Sequence, residues 1–123
     1  MPDGRLFLTG GDGAGTGHVN NHSYIFTPGA TPDTGSFAFS ADMAFARWYP
    51  TSISLGDGRV LAVSGDSSAE PFNINEVEVF DGTSWSIVAG ATKNFFGLYP
   101  GLHLLPSGEI FYSGTGWNNQ GTL

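Results

Sequence analysis

Short apolar runs separated by small polar turns recur along the chain. Three segments share one form, in which an Asp-Gly or Ser-Gly pair leads into an apolar run that ends at Gly, and they begin at Asp3, Asp57 and Ser107. Because Gly accepts the positive φ that tight hairpin turns require, such a pair between apolar runs predicts a β-hairpin. The chain is therefore predicted to consist of repeated strand pairs.

The repeat extends beyond these hairpins. Tyr49-Pro50 and the run that follows align with Tyr99-Pro100 at an offset of 50, the same offset that separates the second and third hairpin turns. Downstream of the second hairpin, 76–80 alternates charged and apolar residues and predicts a third strand, and 84–88 predicts a fourth. The corresponding strands of the preceding unit are predicted at 24–26 and 36–39.

Four antiparallel strands per ~50 residues are typical of a kelch-type propeller blade. The predicted fold is all-β, a partial kelch-type β-propeller of about two and a half four-stranded blades with no second domain. Blade boundaries are expected near 1–42, 43–90 and 91–123. Since a propeller closes with roughly 4–8 blades, we expect the chain to be a fragment of a longer protein that is marginally stable, oligomeric or aggregation-prone alone.

Composition supports this architecture and excludes others. The 123 residues include 19 Gly and 7 Pro, too many helix breakers for a helical bundle. A hydrophobic fraction of 40% and an aromatic fraction of 14% argue against disorder. No apolar run is long enough for a membrane-spanning helix. The chain has no Cys, which excludes a disulfide or a thiolate metal site within this stretch.

The charge pattern disfavours polyanionic partners. Four Lys and Arg residues stand against eleven Asp and Glu, a net charge of −7. A phosphate backbone or an anionic membrane requires clustered cations. The cations are scattered along the sequence at Arg5, Arg47, Arg59 and Lys93. We therefore expect neither nucleic acid nor membrane as a partner.

Several residues that suggest chemistry have simpler structural interpretations. The glycine-rich stretch 10–17 contains no G-x-G-x-x-G register and no following helix, so it is predicted to be a flexible loop. His18 and His22 have the spacing of zinc-binding helices, but Asn and Gly neighbours oppose a helix, and two solvent-side loop histidines are favoured. His103 is predicted either to be buried with a hydrogen-bonded ring or to lie exposed at a strand edge.

Two further interpretations concern packing. Trp85 lies where an outer strand packs on the neighbouring blade, so it is predicted to be a core residue. Glu76 and Glu78 share one face of their strand and are predicted to face solvent. The segment 46–50, Ala-Arg-Trp-Tyr-Pro, opens the predicted innermost strand of the central blade. Its bulk and polarity exceed what packing requires, although a structural role remains the favoured interpretation from the residues alone.

The segment 43–50, Met-Ala-Phe-Ala-Arg-Trp-Tyr-Pro, followed by Gly-Asp-Gly-Arg-Val-Leu-Ala-Val-Ser-Gly at 56–65, resembles a known family. It is similar to the kelch propeller of galactose oxidase and, more closely, to glyoxal oxidase-like copper radical oxidases. Galactose oxidase has Gly where Trp48 stands. The resemblance covers nearly the whole chain but only an early portion of the family's catalytic domain.

The resemblance implies a role for Tyr49. In the family the matching tyrosine is a copper ligand, cross-linked to a cysteine, that stores a radical and so supplies the second oxidising equivalent besides Cu(II). The remaining implied ligands are a second tyrosine and two histidines that would lie beyond Leu123. His18, His22 and His103 match none of the family's copper histidines. The resemblance also implies an extracellular or periplasmic protein.

This sequence departs from the family pattern in places. The partner cysteine would lie just upstream of Met1. The tryptophan that stacks on the cross-linked tyrosine in galactose oxidase corresponds to Ser67, which leaves Trp48 as a candidate to shield Tyr49. Tyr99 is the repeat counterpart of Tyr49, and its position could reflect the repeat alone.

Two functions remain open from the sequence. The first is a fragment of a copper radical oxidase that oxidises an aldehyde, a primary alcohol or a carbohydrate and reduces O₂ to H₂O₂. This chain alone is expected to be inactive and to bind no copper tightly, because one tyrosine cannot hold the metal and the remaining blades are missing. The alternative is a non-catalytic kelch propeller that binds carbohydrate or protein, since fold does not fix chemistry.

Overall fold

The computed structural model describes residues 1–13, 18–31, 33–68, 72–91 and 97–117, and their regular elements are all β-strands. No helix among them is long and apolar enough to cross a membrane. Residues 14–17 of the loop predicted at 10–17, the cation Lys93 and the residues after Trp117 lie outside the described ranges. In the described part of that stretch, Asp12 and Gly13 form a short strand instead of a loop. The strands are β1 (Leu6–Thr9), β2 (Asp12–Gly13), β3 (His18–Val19), β4 (His22–Pro28), β5 (Gly35–Asp42), β6 (Thr51–Ser54), β7 (Val60–Val63), β8 (Glu78–Phe80), β9 (Trp85–Ile87), β10 (Leu98–Leu104) and β11 (Ile110–Trp117).

The strands form consecutive antiparallel sheets that repeat one topology. The central sheet has the order β6-β7-β8-β9, so each strand pairs with its neighbour in sequence. The preceding sheet, β1-β4-β5, lacks a counterpart of the first strand, and the following sheet, β10-β11, contains the first two. The small ribbon β2-β3 lies between β1 and β4 in sequence. This arrangement confirms the predicted all-β partial propeller of about two and a half blades.

The core lies in the central sheet and against its two neighbours. Phe7 of β1 packs on Phe80 of β8, with ring centroids 4.9 Å apart. Trp85 packs against the same Phe7, and its indole N–H donates to Ser23 Oγ at 3.1 Å. The structure thus confirms that Trp85 packs between adjacent blades. Among the residues that the structure describes, the buried hydrophobic core consists of Met43, Val60, Ala62, Val63, Ile74, Val77, Phe80 and Leu98.

The outer strands differ in length from those predicted. In the first unit β4 and β5 extend well beyond 24–26 and 36–39, whereas β8 begins only at Glu78. The shortening of β8 has a physical cause, because the carbonyl of Glu76 accepts a hydrogen bond from the Arg47 guanidinium at 2.9 Å. The carbonyl of Glu76 therefore bonds to a buried side chain instead of to a neighbouring strand.

One face of the β1-β4-β5 sheet exposes large apolar side chains. Phe37 and Phe39 of β5 are 66% and 57% exposed, and Leu6 of β1 is 57% exposed. The paired positions Leu8 and Tyr24 lie exposed on the same face. An apolar sheet face of this kind is typical of a surface that another layer covers.

Candidate functional site

Two glycines bring neighbouring hairpins close to the backbone of residues 47–48. A Cβ at Gly10 would collide with the Arg47 carbonyl oxygen, and one at Gly65 would lie 2.9 Å from the Trp48 carbonyl oxygen. Both have φ in the left-handed region, at +63° and +102°. The Gly11 amide also donates to the Arg47 carbonyl at 2.8 Å. Gly10 and Gly65, which follow the apolar runs of two hairpins, therefore allow the close backbone packing at this segment.

Arg47 anchors this segment through a fully buried ion pair. Its Nη2 lies 2.8 Å from Glu78 Oε2, and both side chains have 0% exposure. Arg47 Nη1 also donates to the Ser64 carbonyl at 2.6 Å, and Glu78 Oε1 accepts the Ala44 amide at 2.6 Å. Burial lowers the pKa of Arg47, and the hydrogen bond and charge of Glu78 oppose that shift. Arg47 therefore has a structural role.

The prediction that Glu78 faces solvent is wrong. Strand alternation places Glu78 on one face but does not reveal that Arg47 lies buried against that face, 31 positions earlier in the chain. A charge in the interior is tolerated only when it is paired. Glu76 is half-buried, and its backbone carbonyl is the group that binds Arg47.

Tyr49 lies two residues before the start of β6 and has an unusual backbone conformation. Its φ is +57°, and that of Tyr99, its repeat counterpart, is +55°. Non-glycine residues rarely adopt this left-handed region, which costs on the order of 1–3 kcal/mol and often marks functional sites. The same strained conformation at both repeat positions turns the two phenol rings toward each other.

Three aromatic rings form a continuous stack at this point. Trp48 stacks on Tyr49 with centroids 3.9 Å apart and an interplanar angle of 23°. Tyr99 packs on Tyr49 with centroids at 4.7 Å and 31°. The candidate shielding residue named from the sequence, Trp48, does cover the Tyr49 ring. We refer to Trp48, Tyr49 and Tyr99 as the aromatic stack.

The contact of Tyr99 with Tyr49 is a site feature that sequence reasoning missed. The alignment of Tyr49-Pro50 with Tyr99-Pro100 was the available signal, since equivalent positions of adjacent blades can meet. Tyr99 is 51% exposed, and the desolvation of its phenol by neighbouring groups raises its pKa, as do a side-chain hydrogen bond with Tyr49 and the Tyr49 charge. Tyr99 therefore tends to keep its proton beside Tyr49.

The side chains of His22 and His103 bond to partners outside the aromatic stack. His22 begins β4, and its Nδ1 lies 2.6 Å from Asp42 Oδ1 on the neighbouring strand. His18 belongs to the β2-β3 ribbon, so the prediction that these two histidines lie in a loop is wrong. His18 and His22 lie in strands because they and their neighbours pair with adjacent strands. His103 is exposed, and its Nε2 lies 3.0 Å from Ser113 Oγ, which matches the exposed alternative.

The described residues do not form a copper site by themselves. They contain no group of three or more His, Cys, Asp or Glu side chains that could hold a metal ion. Copper in proteins is typically bound by imidazole together with other donors, and Tyr49 offers one phenolate with Tyr99 beside it. The role of Tyr49 as a copper ligand therefore stays a prediction.

The partial propeller and the Arg-Trp-Tyr-Pro segment at its inner edge define the class of protein that the chain resembles. The chain is similar to the galactose oxidase and glyoxal oxidase-like copper radical oxidases, which confirms the resemblance drawn from the sequence. It is 30% identical over 124 residues to "Aldehyde oxidase GLOX" of Vitis pseudoreticulata, covering 90% of this chain and 21% of that protein.

A solved structure shows the same fold. A fungal alcohol oxidase of the AA5 family, in complex with copper, superposes with a TM-score of 0.70 at 19% identity, covering 90% of this chain and 24% of that chain. No protein-family model matches the chain. The chain thus spans about a fifth of the length of the curated relative.

Proposed function

We propose that this chain is the part of a copper radical oxidase that carries its redox tyrosine, Tyr49. The longer protein would oxidise a primary alcohol to the aldehyde, or the hydrate that an aldehyde forms with water to the acid, and O₂ would accept the two electrons and two protons as H₂O₂. The observation that carries the proposal is the aromatic stack, in which the tyrosine matching the family's radical site is held strained between two rings.

The scaffold around Tyr49 suits a fixed redox side chain. The backbone on its N-terminal side is held by hydrogen bonds in both directions between Trp48 and Asp66, each at 2.8 Å. Arg47, one position further back, is fixed by Glu78. Side chains that must act at one geometry are held in this way by their surroundings. The role of Trp48 would be to shield the ring and keep water from one face.

Tyr49 would be the single copper ligand that this chain supplies. When bound, copper would supply one oxidising equivalent and the tyrosine the other. The second tyrosine, two histidines and the cross-linking cysteine would come from flanking sequence, and the chain alone would not turn over. Of the described residues, Trp48 and Tyr99 would position Tyr49 without contacting the metal.

The exposed faces of the first and last sheets would be covered by the remaining blades. In this proposal the kelch-type blade boundaries lie near 1–42, 43–90 and 91–123, and the apolar face around Phe37 and Phe39 docks on a neighbouring blade. The longer protein would be extracellular or periplasmic, as the resemblance implies.

The test uses the longer polypeptide that includes this chain. Purified protein is assayed for H₂O₂ release with a panel of small aldehydes and primary alcohols, alongside Tyr49→Phe. Tyr49→Phe should reduce turnover to background. Tyr24→Phe, which keeps the ring on the apolar face of the first sheet and removes only a hydroxyl group, is the matched control and should leave turnover unchanged. Activity that persists in Tyr49→Phe contradicts the assignment, and a folded longer protein without turnover favours a non-catalytic scaffold that binds carbohydrate or protein.

A second measurement concerns the chain alone. Copper is titrated into the purified 123-residue chain while tyrosinate-to-copper charge-transfer absorption is monitored. We expect no tight complex with this absorption. A stoichiometric band that disappears in Tyr49→Phe would show that the chain binds copper unaided and would contradict the expected dependence on later blades.

A further inference from the structure

Ser64, the residue that follows β7, is fully buried and has an unusual backbone conformation. Its φ is +64°, in the left-handed region that favours glycine. Within the part of the chain that the structure describes, the non-glycine residues in this region are Ser64, Tyr49 and Tyr99. The strained side-chain-bearing positions are therefore the two phenols of the aromatic stack and one buried serine.

The two polar groups of Ser64 hold different segments of the chain. Its carbonyl accepts a hydrogen bond from Arg47 Nη1 at 2.6 Å, and its hydroxyl donates to the Gly97 carbonyl at 2.9 Å. Arg47 lies two residues before Tyr49. Gly97 has the same position relative to Tyr99. Ser64 thus connects the backbone that leads to one phenol with the backbone that leads to the other.

The preceding repeat shows what this position requires of the backbone. Gly10 is the counterpart of Ser64 in the first hairpin, and its φ of +63° is nearly the same. A Cβ at Gly10 would collide with the Arg47 carbonyl, so a side chain is excluded there. In the next repeat Gly97 takes the position of Arg47, and the Ser64 side chain bonds to its carbonyl. The side chain that the first repeat excludes is therefore used in the second.

The presence of serine in this conformation is explained by its hydroxyl. Glycine adopts the left-handed region without the cost that a Cβ brings, so close backbone packing alone would favour glycine at position 64. Strained non-glycine residues persist where their surroundings hold them and cluster at functional sites. Gly97 is buried, and its carbonyl needs a partner within the protein, which the Ser64 hydroxyl provides.

The bond from Ser64 also differs in direction from the others that hold Tyr99. Pro100 pairs with Thr115 of β11, and the Thr115 hydroxyl donates to the Leu98 carbonyl. These contacts lie within the third sheet. The bond from Ser64 instead crosses from the central sheet to the start of β10, so it fixes where Tyr99 lies relative to the central sheet.

We propose that Ser64 is a positioning residue that brings the phenols of Tyr49 and Tyr99 together. Its carbonyl holds the segment before Tyr49, and its hydroxyl holds the segment before Tyr99. Ser64 acts through the backbone of Gly97 and not through contact with a reacting group. The contact between the phenols needs no copper, and only its consequence for turnover rests on the proposed function.

The competing interpretation is that the hydroxyl only stabilises the fold. Ser23 provides the comparison, because its side chain is also fully buried and its hydroxyl donates to a backbone carbonyl, that of Ala41, at 2.6 Å. That bond joins β4 and β5 of the first sheet. Loss of either hydroxyl should weaken the fold, since a buried carbonyl loses its partner. Only loss of the Ser64 hydroxyl should move Tyr99.

The experiment follows the titration of each assigned tyrosine ring by NMR in the full chain and in Ser64→Ala, Ser64→Gly and Ser23→Ala. Desolvation and the contact with Tyr49 raise the pKa of Tyr99. Both Ser64 variants should therefore lower the pKa of Tyr99 toward its ordinary value of about 10, and Ser23→Ala should leave it raised. An unchanged pKa of Tyr99 in both Ser64 variants, or an equal fall in Ser23→Ala, overturns the proposal.

Ser64→Gly separates the hydroxyl from the backbone strain. It lacks the hydroxyl but adopts the left-handed region freely, so it should be more resistant to urea than Ser64→Ala and still lose the Tyr99 shift. If neither Ser64 variant folds, the wild-type chain decides. A Ser64 hydroxyl proton protected from exchange and nuclear Overhauser contacts between the rings of Tyr49 and Tyr99 support the proposal, and a freely exchanging hydroxyl proton overturns it.

Turnover in the longer protein tests the consequence for the reaction. Ser64→Ala should lower kcat by about tenfold or more, because small displacements around a reacting group cost this much, whereas Ser23→Ala should keep kcat unchanged. An unchanged kcat of Ser64→Ala in an active enzyme overturns its role in the reaction. If the pKa of Tyr99 shifts in the Ser64 variants but the wild-type longer protein releases no H₂O₂, the positioning role stands and the oxidase proposal fails.

Discussion

Tyr49 and Tyr99 occupy the same position of adjacent repeats and pack ring on ring at 4.7 Å, each with φ in the left-handed region. Both side chains therefore project from the start of an inner strand toward the same point. The contact couples the two phenols, since desolvation, the Tyr49 hydrogen bond and the Tyr49 charge all raise the pKa of Tyr99.

This coupling predicts the effect of Tyr49→Phe on the titration of Tyr99. The substitution removes the hydrogen bond and the charge but leaves the desolvation of Tyr99, so its pKa should fall part of the way toward the ordinary value of about 10. Absorbance of phenolate at 295 nm follows the titration, and the chain has only four tyrosines. Tyr24→Phe is the control and should leave the raised pKa of Tyr99 unchanged. An unaltered high pKa in Tyr49→Phe would refute the coupling.

Removing one member of the Arg47–Glu78 pair should be strongly destabilising. Arg47→Met leaves the Glu78 charge buried without a partner and frees the Ser64 and Glu76 carbonyls, which should lower the free energy of unfolding by about 3–5 kcal/mol. The double variant Arg47→Met/Glu78→Leu should recover part of this loss because no charge stays buried. Urea denaturation measures both, and Arg59→Met is the exposed control. A loss under about 1 kcal/mol for Arg47→Met would contradict the structural role.

Asp66 and Asp57 should affect the pH dependence of stability with opposite signs. Burial raises the pKa of Asp66, so its stabilising contribution is present below its unfolded pKa and is lost as pH rises through the folded pKa. Asp66→Asn should therefore gain stability relative to wild type at neutral pH and little at acidic pH.

Hydrogen bonds from the Arg59 backbone and side chain lower the pKa of Asp57, so its contribution is present above the unfolded pKa and is lost as pH falls. Asp57→Asn should thus be less stable than wild type at neutral pH and equal to it at low pH. Urea titrations at both pH values measure the two differences. Equal signs for the two variants at neutral pH would refute this prediction.

Alanine substitutions at Gly10 and Gly58 distinguish the energetic cost of backbone strain from that of a steric collision. Both have positive φ, but a Cβ at Gly58 meets no atom within 4 Å, whereas one at Gly10 collides with the Arg47 carbonyl. Gly58→Ala should cost about 1–2 kcal/mol, and Gly10→Ala roughly 2–5 kcal/mol, since overpacking adds to the strain. Chemical denaturation compares them, and equal losses would show that close packing at Gly10 contributes nothing.

The exposed face of the first sheet should drive self-association. Phe37→Lys/Phe39→Lys places charges on that face and should shift the chain toward monomer, because large apolar patches mark association surfaces. Ser36→Lys, also exposed and facing the other way along β5, is the control. Sedimentation velocity gives the mass distribution. A wild-type chain that is monomeric at the same concentration would contradict the prediction.

The sequence by itself determined the hairpins, their repetition and the resemblance. These features depend on local chemistry, because an Asp-Gly turn and an alternating apolar run specify a strand pair without reference to distant residues. The offset between Tyr49-Pro50 and Tyr99-Pro100 and the position of Trp48 beside Tyr49 can also be read from the sequence. The sequence does not show that the rings of Tyr49 and Tyr99 meet.

Tertiary structure alone decided the burial of Glu78 and the contact of Tyr99 with Tyr49. Each depends on groups that are far apart in sequence, as with Arg47 and Glu78, separated by 31 positions. Strand alternation gives the face on which a side chain lies, but it does not say whether water or a buried guanidinium covers that face. The free energy of burying a charge depends on that partner, so its position is settled only when the sheets pack.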